Sequence, residues 1–143
     1  MKKIAMFAVV GAVTLAPAVA SAGGRSYDGA FATGGELHFK VVKSQDGKKV
    51  INYRFERFVL NCEGGPNTTT GDLSFSVRVR DNKFSTRAVL GNPDSPRATL
   101  NLQGKLLPNG AEGTMKIEGR KVPTNTGPRS DACSSPKTAW TAS

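Results

Sequence analysis

From residue 23 onward the chain is written in short apolar–polar alternations separated by turn residues, and this pattern leaves little room for anything but antiparallel β-structure. Tyr27, Gly29 and Phe31 share one parity, and Leu37, Phe39 and Val41 share one face opposite His38 and Lys40. Ile51, Tyr53 and Phe55 alternate with Asn52, Arg54 and Glu56, and Phe58, Leu60 and Cys62 continue on the other parity. A parity switch near Glu56-Arg57 is what a β-bulge produces. Further alternations run through Phe75, Val77 and Val79, then Leu100, Leu102 and Leu106, then Met115 and Ile117, and finally Thr138, Trp140 and Ala142.

Asp46-Gly47, Asp81-Asn82 and Asn109-Gly110 are residues that tolerate positive φ in tight hairpins, and Gly34-Gly35 does the same. No window carries a helical stripe. The expectation is an all-β domain, a single antiparallel β-sandwich or flattened barrel of about eight hairpin-connected strands. Two stretches read as loops: the polar, Gly-rich Cys62 to Gly71, and Lys121 to Pro136 with its prolines. Trp140 reads as core or sheet-edge packing rather than a stacking platform, from its parity with Thr138 and Ala142.

The first 22 residues are of another kind. Lys2 and Lys3 precede a stretch from Ile4 to Ala16 that is apolar apart from Thr14, Pro17 ends it, and small residues follow at the spacing of signal-peptidase cleavage: Ala20-Ser21-Ala22 favours a cut before Gly23, with Ala18-Val19-Ala20 as the alternative before Ser21. The apolar stretch falls short of the roughly 20 residues a spanning helix needs. The division expected is a signal peptide over 1–22 and an exported β domain over 23–143, secreted or held in the periplasm or cell envelope, with no transmembrane segment after cleavage. Of 20 Lys plus Arg, Lys2 and Lys3 leave with the leader, so 18 basic residues face 11 acidic ones, a balance of +7.

Cys62 and Cys133 both fall in the exported part. In an oxidising compartment a lone pair most simply forms a disulfide. A structural zinc site wants four ligands, which two Cys and one His cannot fill, so no metal and no other cofactor is expected. His38, the one histidine, lies on the polar parity between Leu37 and Phe39. It reads as a solvent-facing ring without a fixed partner, not a general base, since a base must be held within hydrogen-bond reach of its target. The carboxylates are scattered, and no EF-hand loop, Gly-x-Ser-x-Gly elbow, P-loop or His-Glu-x-x-His helix is present.

Several short pieces then stand out together: Tyr27-Asp28-Gly29, Leu37-His38-Phe39-Lys40-Val41, Cys62 at a strand end, Lys83-Phe84-Ser85, Gly113-Thr114-Met115-Lys116, Cys133-Ser134-Ser135 and Trp140-Thr141-Ala142. In these the chain resembles a loose group of small exported bacterial two-cysteine β-rich proteins with no assigned activity. The resemblance implies a fold and a disulfide staple and brings no catalytic residue with it.

The basic residues give the one direction toward function. Arg78 and Arg80 share the polar parity of their segment, and Arg54, Lys105 and Lys116 fall on polar parities of theirs. If those strands are neighbours, the five form a cationic stripe that attracts an anionic envelope polymer or polysaccharide. Sequence-specific nucleic-acid reading is not expected, because Tyr53, Phe55 and Phe75 have core parity. The reading is a non-enzymatic exported or envelope protein that binds polyanions weakly. The alternatives are an inhibitor or protein-binding module acting through Thr69–Asp72 or Thr124–Asp131, and an enzyme whose site is not visible in the sequence.

Overall fold

The structure is a computed structural model that describes residues 24–92, 95–128 and 132–143. Eight longer strands form in chain order with four two-residue ones between them: β1 (Arg25–Phe31), β2 (Glu36–Ser44), β3 (Gly47–Cys62), β4 (Gly65–Leu73), β5 (Val77–Arg78), β6 (Lys83–Asn92), β7 (Ser95–Leu107), β8 (Gly110–Gly119), β9 (Pro123–Thr124), β10 (Gly127–Pro128), β11 (Cys133–Ser134) and β12 (Thr138–Ala142). All pairings are antiparallel. The order β11-β3-β2-β1-β12-β8 closes on itself, because β11 pairs with both β3 and β8, and so makes a six-stranded barrel. Beyond it β7 and β6 extend from β8, while β4 and β5 lie along β3. The all-β reading holds, and closure leaves the six ring strands without a free edge.

The disulfide sits at the closure. Cys62 and Cys133 face each other in register and are bonded across a separation of 71 residues. The staple therefore ties the end of the longest strand to the short strand that completes the ring.

Alternation places the core as expected. Tyr27, Phe31, Leu37, Phe39, Tyr53, Phe55, Phe58, Leu60, Leu100, Leu102, Met115, Ile117 and Trp140 are all buried. One inward row runs across five strands: Phe84 opposite Gly104, Gly104 opposite Gly113, Gly113 opposite Trp140, and Trp140 opposite Phe31. The two glycines leave room for the flanking rings. A Cβ at Gly104 would stand 2.2 Å from Phe84 Cζ, and one at Gly113 would stand 2.5 Å from the Trp140 ring. Phe39 packs against Phe84 and Trp140, with centroids 5.9 and 5.8 Å apart, so the extension β6–β7 and the closed ring share one core.

The parity switch at Glu56-Arg57 is a bulge: the β3–β4 register shifts between Phe55 and Phe58, and Arg57 takes φ 54°. A second bulge was not expected. The β2–β3 register shifts between His38 and Lys40, and Asn52 takes φ 53°, so Val50 turns inward and Ile51 is left half-buried.

Two further expectations are corrected. Cys62 to Gly71 is not a loop, since Gly65–Leu73 is a full strand against β3. Its polar side chains are bonded by the β9–β10 hairpin: Thr69 Oγ1 donates to the Pro123 carbonyl at 2.6 Å, and Asn125 Nδ2 donates to Thr70 Oγ1 at 3.0 Å. Phe75 is not a core residue. The chain leaves the sheet over 74–76, only Val77–Arg78 pairs with β3, and Phe75 stands 43% exposed.

Candidate functional site

Outward side chains sort into two groups of different charge. The first lies on the outer face of β1–β2–β3–β4, where cross-strand register lines up Asp28, His38, Arg54 and Asp72. His38 is half-exposed but not without a partner: its Nδ1 lies 2.6 Å from Asp28 Oδ1, and its Nε2 lies 3.9 Å from Glu36 Oε1. The chain of contacts continues from Glu36 to Arg57 at 3.3 Å, from Arg57 to Glu56 at 3.9 Å, from Glu56 to Arg54 at 3.1 Å, and from Arg54 to Asp72 at 4.0 Å. The Arg57 bulge aims that guanidinium at both glutamates. Four carboxylates thus enclose two arginines and one imidazole. Arg54 belongs to this balanced network and not to a cationic stripe. Exposed pairs of this kind are worth about 0–1 kcal/mol each.

The second group lies on the β5–β6–β7 flank. Arg78 is outward on β5, opposite Lys49 of β3. Arg80 bridges to Lys83 across the Asp81-Asn82 turn, where both turn residues have positive φ. Lys83 stands opposite Lys105. Arg78, Arg80 and Lys83, with Ser85 and Gln103, line a hollow of about 530 Å³ floored by Phe84 and Gly104. Lys83 also lines a neighbouring depression of about 200 Å³ with Lys105 and Glu112. Among the described residues, no carboxylate comes within 4.0 Å of Arg78, Arg80, Lys83 or Lys105. Lys116 is on the same wall, aligned with Asn101 and Arg87, but is held 3.8 Å from Glu118.

Of the five cations singled out in the sequence, the fold brings Arg78, Arg80 and Lys105 together, leaves Lys116 beside them in an ion pair, and sets Arg54 apart. The reading missed Lys83, which joins the two hollows. The hairpin signal Asp81-Asn82 could have found it, because a tight turn there folds Lys83 back beside Arg80.

The loops considered for protein binding do not present themselves as such. Thr69–Asp72 lies in β4 with Thr69 buried. In Thr124–Asp131, Thr124 and Asn125 are laid over β4, and residues 129–131 fall outside the described residues. The leader over 1–22 falls outside them as well. Among the described residues no group of three or more His, Cys, Asp or Glu is placed to hold a metal ion, and no helix is long and apolar enough to cross a membrane. Compared with known proteins, the chain matches no family model, no curated protein and no solved structure.

Proposed function

We propose that the mature chain is a non-enzymatic exported protein that binds anionic envelope polymers or polysaccharide through Arg78, Arg80, Lys83 and Lys105. One observation carries this reading. Like charges stand directly opposite one another at Lys49–Arg78 and at Lys83–Lys105. Such pairs destabilise a sheet. Glu112 stands opposite Lys105 on its other side, yet among the described residues no carboxylate comes within 4.0 Å of any of the four cations. A multivalent anion along this flank removes the repulsion at both pairs at once and draws on all four charges together. His38 carries no part of this reading: its Nδ1 lies 2.6 Å from Asp28 Oδ1 and its Nε2 3.9 Å from Glu36 Oε1, away from the four cations.

The test is retention on heparin or teichoic acid across a salt gradient, with protein whose intact mass shows that it begins at Gly23. Wild type should elute later than the double variant Arg78→Ser/Arg80→Ser, with both melting at nearly the same temperature. Arg54→Gln should move elution by only a small fraction of that shift. If the double variant elutes with wild type, or Arg54→Gln moves as far, the flank is an ordinary solvated surface.

A further inference from the structure

A second cationic site lies at one end of the barrel, and it has a different chemistry. Tyr27, Val41 and Val50 are buried inward residues of β1, β2 and β3. The next position of the same parity toward this end is Arg25 on β1, Lys43 on β2 and Lys48 on β3. Three inward rows that are apolar in the core therefore finish in cations at the mouth. Register sets them close: Arg25 stands opposite Val41, and Lys43 stands opposite Lys48.

The mouth is a cavity of about 560 Å³. Its apolar lining is Tyr27, Val41 and Val42 on one wall, and Leu106, Leu107 and Pro108 on the other. The Arg25 guanidinium sits 4.7 Å from the centre of the Tyr27 ring, so this exposed side chain folds over the ring at the rim of the cavity. No acidic side chain lines the cavity. Among the described residues no carboxylate lies within 4.0 Å of Arg25, Lys43 or Lys48. Barrel mouths are a common place for small-molecule sites, and roughly 300–1,000 Å³ is their usual size.

From this geometry we infer that the mouth binds a small amphiphilic anion: one apolar chain with a carboxylate or phosphate head. The chain lies between Tyr27 and Leu106, and the head is held by Arg25, Lys43 and Lys48. Each half of the site excludes other ligands. A hydrophilic polyanion leaves the apolar walls wet, and a neutral or cationic amphiphile leaves Lys43 and Lys48 repelling each other. Each methylene buried against these walls adds to the affinity, so affinity rises with chain length.

The experiment is titration calorimetry on protein purified from an oxidising compartment. The probes are dodecanoate and dodecyl phosphate below their micelle concentrations, with acetate and dodecyltrimethylammonium as comparators. Dodecanoate or dodecyl phosphate should bind with one site per chain and a negative heat-capacity change, the mark of apolar burial. The tighter of the two identifies the head group. Acetate and the cationic amphiphile should bind at least tenfold more weakly. Lys43→Glu/Lys48→Glu should lose at least tenfold in affinity for the anions, and Lys48→Gln alone should show a smaller loss in the same direction should the double variant not fold. Arg78→Ser/Arg80→Ser should leave the affinity unchanged, which keeps this site separate from the polymer-binding flank. The inference is overturned by equal binding of dodecyltrimethylammonium, by no binding of either anion, or by an unchanged affinity in the lysine variants. A dimer in sedimentation that the lysine variants break would give the mouth to a second copy and overturn it too.

Discussion

Gly104→Ala should be among the most damaging single-atom additions this barrel can receive. Gly104 lies between Phe84 and Gly113 in the inward row, and the added Cβ would stand 2.2 Å from Phe84 Cζ and 2.6 and 2.7 Å from its two Cε atoms. Contacts that short cannot persist, so the ring must move. It has little room, being 4% exposed and packed against Phe39 and Trp140. Overpacking of this kind costs about 1–3 kcal/mol, and a ring driven out into water forfeits about 1.5–3 kcal/mol of burial. Alanine gives back about 0.4–1 kcal/mol by restricting the unfolded chain. A net loss of about 2 kcal/mol follows from those terms, which for a domain of this size lowers the melting temperature by roughly 8 °C. Urea unfolding of oxidised protein reads it as a lower midpoint at unchanged slope. The cause is checked by Phe84→Leu/Gly104→Ala: with the ring gone, the alanine should cost almost nothing beyond Phe84→Leu. Stability of Gly104→Ala within about 0.5 kcal/mol of wild type, the range of an ordinary surface substitution, or strict additivity in the double variant, would refute the packing account.

Two more outcomes follow from the core and its staple. Cys62→Ser/Cys133→Ser should lose about 4 kcal/mol in urea unfolding, the chain-entropy value for a closed loop of 71 residues; a loss under about 1 kcal/mol would mean that the β11 ladder closes the barrel unaided. Burial holds the Tyr53 phenol well above its ordinary 10.0, so the folded state stays protonated where the unfolded chain ionises. That stability is whole below pH 10 and falls by about 1.4 kcal/mol per pH unit above it. Tyr53→Phe should therefore unfold at a higher alkaline pH relative to its neutral-pH stability, and a parallel pH profile for the two proteins would exclude Tyr53 as the cause.

What the sequence could disclose was whatever alternation encodes. The faces of Trp140, Met115 and Leu102 followed from period two, and the Arg57 bulge followed from the jump in parity between Phe55 and Phe58. The Asn52 bulge left no such mark, because Val50 and Ile51 are both apolar and either could have been the inward one. Strand β4 was illegible for a different reason: Asn67, Thr68 and Thr70 are polar, and their partners Asn125 and Thr126 come from a hairpin more than fifty residues away. Phe75 kept the right parity with Val77, but parity assigns a face only while the chain stays in the sheet. The charged groups depended on strand order, which alternation does not contain. Arg54 and Arg78 both read as outward cations; only the placement of β4 beside β3 puts Asp72 next to Arg54, and only the β3–β5 pairing puts Lys49 opposite Arg78.

The flank and the mouth lie close together, and that closeness decides how their tests must be read. Asn82 lines the mouth, while Arg80 and Lys83, which bracket the same turn, line the flank hollow. A bound anion at one repels an anion at the other. Two unit charges about 10 Å apart in water interact by only about 0.4 kcal/mol before screening. Salt near physiological strength, with a Debye length of about 8 Å, cuts this further. Such coupling changes an affinity less than twofold. A tenfold loss in the lysine variants therefore reports direct contact at the mouth, and a shift in elution from Arg78→Ser/Arg80→Ser reports direct contact on the flank. Coupling well beyond twofold would require the Asp81-Asn82 turn itself to move between two positions. That motion would appear as a change in the Lys83–Arg80 backbone hydrogen bonds, now 2.8 and 2.9 Å, when either anion is added. Amide exchange at Arg80 and Lys83, measured with and without dodecanoate, separates the two cases: unchanged protection means independent sites, and altered protection means one turn serving both.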